Sequence, residues 1–314
     1  MKRLLSALGP FAGLVVVVVL FGALSPSTFL SFYNLKTILT QSVIVGMAAL
    51  GMTFVIVSRG IDLSVGSQIA LATVVVATLI ERGSAVGVAA AGAVLACGLV
   101  GGLNGWLITR FRIVPFIVTL GSMQIVRGIA KWIADEQTVP TTENALYGLM
   151  LIDPQPAWLV LAPGIWLCVL VLALASVALT RTVFGRYVTA IGSGEETARL
   201  CGVPVERYKT AVYVTCGMLT GLAGTLQYSY LTVGDPTSAS GLELDIIAAV
   251  VIGGGSLGGG EGSALGSFVG ALIMSTLRNG CNMLGVPNFV QEIIIGAIIV
   301  GAVTIDQVKT QKGK

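Results

Sequence analysis

The chain has 314 residues, 55% hydrophobic and 11% charged, and its mean hydropathy is +0.92. Soluble domains carry about 25% charged residues, so an ordinary water-soluble enzyme is excluded and lipid is the principal solvent. The absence of histidine excludes His-ligated metal sites, Ser-His triads and imidazole proton shuttles, and a net charge of +3 points to no nucleic-acid partner.

In chain order, Lys2-Arg3, the apolar run 14–24 and Ala23-Leu24-Ser25 have the features of a secretory signal. The many later apolar runs favour an uncleaved first membrane helix. A helix needs about 20 largely apolar residues to cross the hydrocarbon. The charge-free stretches 4–35, 37–58, 63–80, 83–109, 154–180 and 210–234 meet that need or nearly so. Residues 113–133 add a span with Arg127 and Lys131 near its far end, where both can snorkel. After Asp245, breaks at Glu261, Arg278 and Glu292 divide the rest into spans near 244–257, 262–279 and 289–305. The expectation is an all-α polytopic transmembrane bundle of about ten spans, a single domain over 1–314.

Ten spans put both termini on one side, taken as cytoplasmic. That side then collects Lys2, Arg3, Arg59, Arg110, Arg112, Arg181, Arg186, Arg199, Arg207, Lys209, Lys309, Lys312 and Lys314, or 13 of 18 basic residues. Lys36, Arg82, Arg127, Lys131 and Arg278 fall on the other. The excess supports the orientation. The external loop 134–157 is acidic, with Asp135, Glu136, Glu143 and Asp153, and is expected to pack over the outer mouth. Cys97, Cys168, Cys201, Cys216 and Cys281 form no CxxC pair and read as free thiols.

The cytoplasmic loop 180–209 holds a local helix signal. Ser193-Gly-Glu195-Glu196 fits a capping box, Gly202 suits a left-handed C-terminal cap, and Pro204 forbids continuation. A two-turn helix over 194–201 follows, read either as a solvated connector or as a docking element for a soluble partner.

Glu196-Thr197-Ala198 followed by Gly202 resembles the EAA loop of ABC-transporter permeases, with Thr197 in place of the first alanine. The blocks Arg59-Gly60-Ile61-Asp62-Leu63-Ser64-Val65-Gly66, Pro115 to Gly121, and Leu244-Asp245 through Gly253–Gly259 to Gly270 are similar to the ribose-type branch of bacterial sugar-importer permeases. Gly60, Asp62, Ser64 and Gly66 mark that family block. The resemblance implies an inner-membrane permease subunit, not an enzyme, that passes a small polar solute, foremost a pentose or hexose. It further implies two cytoplasmic ATPase subunits, a second permease copy or close homologue, and an external solute-binding protein. In such a permease the loop helix is the coupling helix. Ser193 would cap it, Glu195, Glu196 and Arg199 would pair with charges on the ATPase, Ala198, Leu200 and Cys201 would bury against it, and Gly202 would end it. Other polar solutes, such as a furanosyl signalling molecule, a nucleoside or an amino acid, remain alternatives. A secondary transporter is a rival that would need a carboxylate deep in the membrane, whereas Asp62, Glu261 and Glu292 map near span ends.

The chain contains no Walker A motif, so ATP and Mg belong to the partner ATPase and this chain needs no cofactor or metal of its own. Gly253-Gly-Gly-Ser-Leu-Gly258 fits a dinucleotide-loop pattern by letter only, lacking the ribose-binding acid and soluble βαβ context.

Small faces at Gly262, Gly266 and Gly270, and at Gly98, Gly102 and Gly105, predict close helix approach. Asp62 or Ser64 is expected to cap the helix that follows. A neutral polyol needs amide and hydroxyl partners at membrane depth, which nominates Gln41, Thr53, Asn104, Thr119, Ser122, Asn279, Asn282 and Gln291 for the pathway. Thr119 with Ser122, and Asn279 with Asn282, are expected to share helix faces. Asn104-Gly105 before Val114-Pro115-Phe116 is echoed by Asn279-Gly280 before Val286-Pro287, hinting at an inverted repeat.

Overall fold

The computed structural model describes residues 2–156 and 158–312, with the side chains of 9–156, 158–301, 303 and 304. Lys314, and the side chains of Lys2, Arg3, Lys309 and Lys312, all counted above on the inner side, lie outside the described residues.

Every predicted apolar stretch contains one long helix or a shortened one. The helices are α1 (Lys2–Leu24), a single turn α2 (Pro26–Phe29), α3 (Phe32–Val57), α4 (Val65–Glu81), α5 (Val86–Phe111), α6 (Pro115–Ile133) and α7 (Pro163–Arg181). The inner loop carries α8 (Val183–Ser193) and α9 (Glu195–Leu200), and the chain finishes with α10 (Val205–Leu231), α11 (Leu242–Ile252), α12 (Ala264–Met283) and α13 (Asn288–Lys312). Strands β1 (Val139–Pro140) and β2 (Val233–Gly234) form a small antiparallel ribbon. Four helices, α3, α5, α6 and α7, are long and apolar enough to cross a membrane by themselves.

Glycine makes the close packing possible. Gly101 lies against Tyr213, Gly105 against Thr210, and Gly217 and Gly221 against Cys97 and Ala93, so α5 and α10 run antiparallel with backbones in contact. Gly253 faces Gly266, and Ala249 faces Gly270, so α11 descends antiparallel to α12 in the same way. Of the predicted stripe, Gly266 and Gly270 are on α12, but Gly262 precedes it and packs on Val57. On α3, Gly46 meets Phe268 and Ala271 while Thr53 Oγ1 donates to Ser267 Oγ at 2.7 Å, making α3 antiparallel to α12.

The predicted span 244–257 is corrected. Helix α11 has 11 residues, about 16 Å at 1.5 Å per residue, roughly half of the hydrocarbon thickness. An apolar run alone does not separate a span from a half-length helix buried in protein. Here the helix stops at the run Gly253–Gly255, and Gly254, Gly259 and Gly260 take left-handed backbone (φ +91, +82 and +78°) in the turn to α12.

The first turn of α4 touches the first turn of α11: the Glu243 carboxylate occupies the place where a side chain on Gly66 would be. One turn on, Gln68 lies beside Gly217 and Cys97, midway along α10 and α5. The two short helices therefore start at the same depth and run in opposite directions. A full-length helix, a short one, a glycine-faced one and a last helix recur as α3–α6 and α10–α13, reversed in direction, as the Asn-Gly and Val-Pro echo suggested.

From the predicted loop 134–157, residues 141–146 pack on the C-terminal end of α10, with Ser229 Oγ donating to Leu146 O and Tyr228 Oη bonded to Thr141 and Asn144. Arg278, counted above on the outer side, lies on α12 and holds Asp245 of α11 at 2.6 Å.

Added methyl groups test the glycine contacts. Gly101→Ala and Gly270→Ala, whose Cβ atoms would overlap the Tyr213 and Ala249 carbonyls, are each expected to cost about 1–3 kcal/mol. Gly87→Ala, with nothing within 4 Å, should leave the thermal midpoint in detergent unchanged.

Candidate docking surface and translocation site

The inner loop builds a rigid mount. Phe184 of α8 stacks near Phe54 of α3 (centroids 5.7 Å) and Tyr208 of α10, which also meets Tyr187 edge-on at 4.8 Å. Gly192 lies flat on the Val57 carbonyl, which also accepts the Gly260 N–H at 2.9 Å. The end of α8, the end of α3 and the glycine turn before α12 thus meet backbone to backbone.

Helix α9 ends as predicted and begins differently. Gly202 is left-handed (φ +83°), Val203 N–H donates to Ala198 O and Gly202 N–H to Arg199 O, both at 3.0 Å, which completes a Schellman cap. The capping box is corrected. Ser193 is the last residue of α8, its Oγ donates back to Thr189 O at 2.9 Å, and Gly194 begins α9 without a side-chain cap.

The other coupling residues divide. Ala198 is buried among Ile191, Val203 and Val205 of its own chain, so its expected burial against a partner is corrected. Glu195 pairs with Lys209 at 2.8 Å and Arg199 at 3.5 Å, and Arg199 also approaches Glu206 at 3.8 Å. These charges fasten α9 to α10, correcting the expectation that both serve a partner. Glu196, Thr197, Leu200 and Cys201 are exposed, Leu200 at 88%, and Glu196 makes no ion pair among the described residues. Beneath α9 a cavity of about 270 Å³ opens between Thr109, Arg112, Pro115, Arg199 and Lys209.

Partial burial raises the Glu195 pKa, but the Lys209 ammonium and then Arg199 outweigh it and hold the carboxyl below its ordinary value of 4.5. A depressed pKa means the pairing contributes at pH above that ordinary value and is lost as pH falls through the folded one. Amides 195–201 are accordingly expected to lose exchange protection on acidification below about 4.5, and Lys209→Met should reproduce that loss at neutral pH in hydrogen-exchange mass spectrometry.

The turn between α3 and α4 carries the family block. Asp62 Oδ1 accepts from Ser64 N–H at 2.9 Å and Ser64 Oγ–H at 2.5 Å. Ser64 Oγ in turn accepts from Gln68 Nε2 (2.8 Å) and Asn104 Nδ2 (3.1 Å). Asp62 therefore closes the turn that starts α4, and Ser64 joins α4 to α5; neither caps through the second or third helical N–H. Asp62 is fully buried, its Oδ2 has no hydrogen-bond partner, and it has no ion pair among the described residues. Gly60 has no room for a side chain beneath Tyr213 Oη, which donates to Ile61 O.

The nominated pathway residues do not converge. Thr53 bonds Ala49 O and Ser267, Asn104 bonds Ser64, Thr119 bonds Pro115 O, and Gln291 bonds Asn282 Oδ1 and Val286 O. Asn279 is buried with Oδ1 unpartnered, whereas Asn282 is exposed; Thr119 is buried, whereas Ser122 and Gln41 are half-buried. Each of the two pairs lies within one helix, three positions apart, but its members differ in burial.

Polar side chains converge elsewhere. Ser67, Gln124, Arg127, Thr237, Ser240 and Glu243 surround a cavity of about 280 Å³ at the meeting of α4, α6 and α11, with Lys131 at its rim. Arg127 Nη1 donates to the carbonyls of Pro236 (2.9 Å) and Ser238 (2.7 Å). Glu243 and Asp245 lie in the first turn of α11. The overlooked signal was Pro236-Thr-Ser-Ala-Ser-Gly241, a polar break directly ahead of the apolar run that forms α11. Among the described residues no group of His, Cys, Asp or Glu is arranged to hold a metal.

The family model described as branched-chain amino acid transport system / permease component matches residues 34–303. The chain belongs to this permease family. It is a multi-pass membrane protein. It is 39% identical over 303 residues to the ribose import permease protein RbsC of Bacillus subtilis (strain 168), covering 96% of this chain and 93% of that one. It is 40% identical over 307 residues to the protein of the same name from Escherichia coli (strain K12), covering 94% and 92%. The L-arabinose ABC transporter permease protein AraH of Azospirillum brasilense is 39% identical over 299 residues, covering 94% and 87%. No solved structure matches the chain.

Proposed function

We propose that this permease is the membrane-spanning subunit of an ATP-driven importer in the bacterial inner membrane, passing a monosaccharide of the pentose or hexose class. Two such chains, two cytoplasmic ATPase subunits and an external solute-binding protein form the working assembly. ATP and Mg are held by the ATPases, and this chain is not an enzyme. The reading rests on near full-length similarity to ribose and arabinose permeases. The observation that carries it is α9, whose inner face is fastened to its own chain while Glu196, Thr197, Leu200 and Cys201 stand free.

Free apolar surface beside an unpaired carboxylate suits a protein groove. ATP-driven closure of the ATPases would push α9, and the bundle would change the side to which its pathway opens. A secondary transporter is less well supported, because the near full-length relatives are ribose import and L-arabinose ABC permeases.

Two readouts test the docking role. Cys201 is the exposed thiol and the other four are buried, so maleimide should label it quickly in the isolated permease and slowly once the ATPase is bound. Glu196→Lys and Leu200→Asp are each expected to lower sugar uptake at least tenfold with membrane insertion intact. Normal uptake in both, with no protection of Cys201, would refute the role.

A further inference from the structure

The cavity between the first turns of α4 and α11 differs from a neutral polar channel. Two backbone carbonyls fix one nitrogen of the Arg127 guanidinium, which leaves its other N–H groups to donate. Glu243 lines the same cavity, and among the described residues neither it nor Arg127 forms an ion pair within 4.0 Å. The Glu243 carboxylate also accepts from the backbone N–H groups of Gly241 and of Glu243 itself, but a carboxylate has about four lone-pair sites, so a guanidinium and a carboxylate that share the cavity without closing on each other leave donors and lone pairs for a third molecule. Gln124, Ser67, Thr237 and Ser240 supply neutral donors and acceptors around them.

We propose that this cavity is a monosaccharide-binding site in the permease itself, and that Arg127 and Glu243 set its selectivity. The proposal rests on the import reading above. Neighbouring hydroxyls of a sugar donate to the Glu243 carboxylate, and Arg127 donates to a hydroxyl or ring oxygen. Such charge-assisted bonds are roughly twice as strong as neutral ones. The cations Arg127 and Lys131 are balanced by Glu243 and by Asp235, which acts on the charge of Arg127, so a neutral polyol suits the site better than an anion. Its volume of about 280 Å³ is near the lower end of small-molecule pockets, roughly 300–1,000 Å³, as fits a single sugar ring.

Position supports the assignment. The site lies where two short helices begin at the same depth and run apart, and discontinuous helices of this kind commonly border transport sites. Gly66 is required there because a side chain would displace the Glu243 carboxylate.

The test uses the complete assembly of permease, ATPase and binding protein in proteoliposomes, with ribose and arabinose as probes. Glu243→Gln and Arg127→Gln are each expected to lower uptake at least tenfold and to change the ribose-to-arabinose ratio. Independently, saturating ribose should slow labelling of Thr237→Cys by a membrane-impermeant maleimide applied from outside, which does not reach Cys201. Wild-type rates and sugar ratio in the charge variants, or labelling that ribose leaves unchanged, would overturn the proposal. If the charge variants fail to insert, the labelling result alone decides. A wild-type assembly that hydrolyses ATP but imports neither sugar defeats the import reading instead, which separates the two failures.

Discussion

A helix that begins inside a bundle brings unsatisfied N–H groups into a region without bulk water, and lipid cannot satisfy them. Two helices, α4 and α11, begin in this way, and at both starts polar groups of the protein, not lipid, adjoin the chain. At α4, Asp62 takes the Ser64 N–H, and Ser64 gathers Gln68 and Asn104 around its hydroxyl. At α11, the chain descends along α4, with Asp235 N–H donating to Thr73 Oγ1 at 3.1 Å, before the helix opens beside Gly66. Irregular backbone at this depth is tolerated because protein covers it or a polar cavity adjoins it, and both conditions hold here.

Close packing follows from the same constraint. Apolar surface gives no preference for helix over lipid, so dense contact has to hold the bundle together. Glycine permits it on α5 against α10 and on α12 against α11, where backbones touch. The same residue allows the left-handed turn at Gly254, Gly259 and Gly260 that joins α11 to α12 beside the docking mount.

Much of the bundle was legible from charge-free runs, because an ion in lipid is costly wherever it falls. The C-terminal signals placed the left-handed end of α9, since Gly202 and Pro204 act locally. The half-length of α11 was not legible. Its apolar run continues into glycines that read equally as membrane sequence, and only the contacts Ala249–Gly270 and Gly253–Gly266 reveal where it sits. The coupling charges were read as partner contacts because Lys209 lies 14 residues from Glu195, and a local pattern does not disclose that α10 returns beneath α9. The polar pathway was sought among uncharged residues; the cavity instead includes Arg127 and Glu243, which are separated by 116 positions and meet only through the fold. Hydroxyls and amides scattered along helices were a poor guide, since Thr53 and Asn104 spend hydrogen bonds on Ser267 and Ser64 of other elements, and Thr119 bonds Pro115 O of its own helix.

Contacts run without a gap from the docking surface to the proposed sugar site. Helix α9 is tied to α10 through Glu195 and Lys209, and α8 rests on α3 through Gly192 and Val57. The α3 end leads into the Asp62 turn, the turn holds the first residues of α4, and Gly66 touches Glu243. Each step is a backbone contact or a hydrogen-bonded group with little slack, so a push on α9 is not absorbed by side-chain rearrangement. Spatial continuity does not by itself establish energetic coupling, but it restricts how coupling can occur. On the proposed function, α3 and α4 are the elements through which a displacement of the mount would reach the cavity, and Glu243, seated on the glycine of the first turn of α4, is where it would meet the proposed sugar.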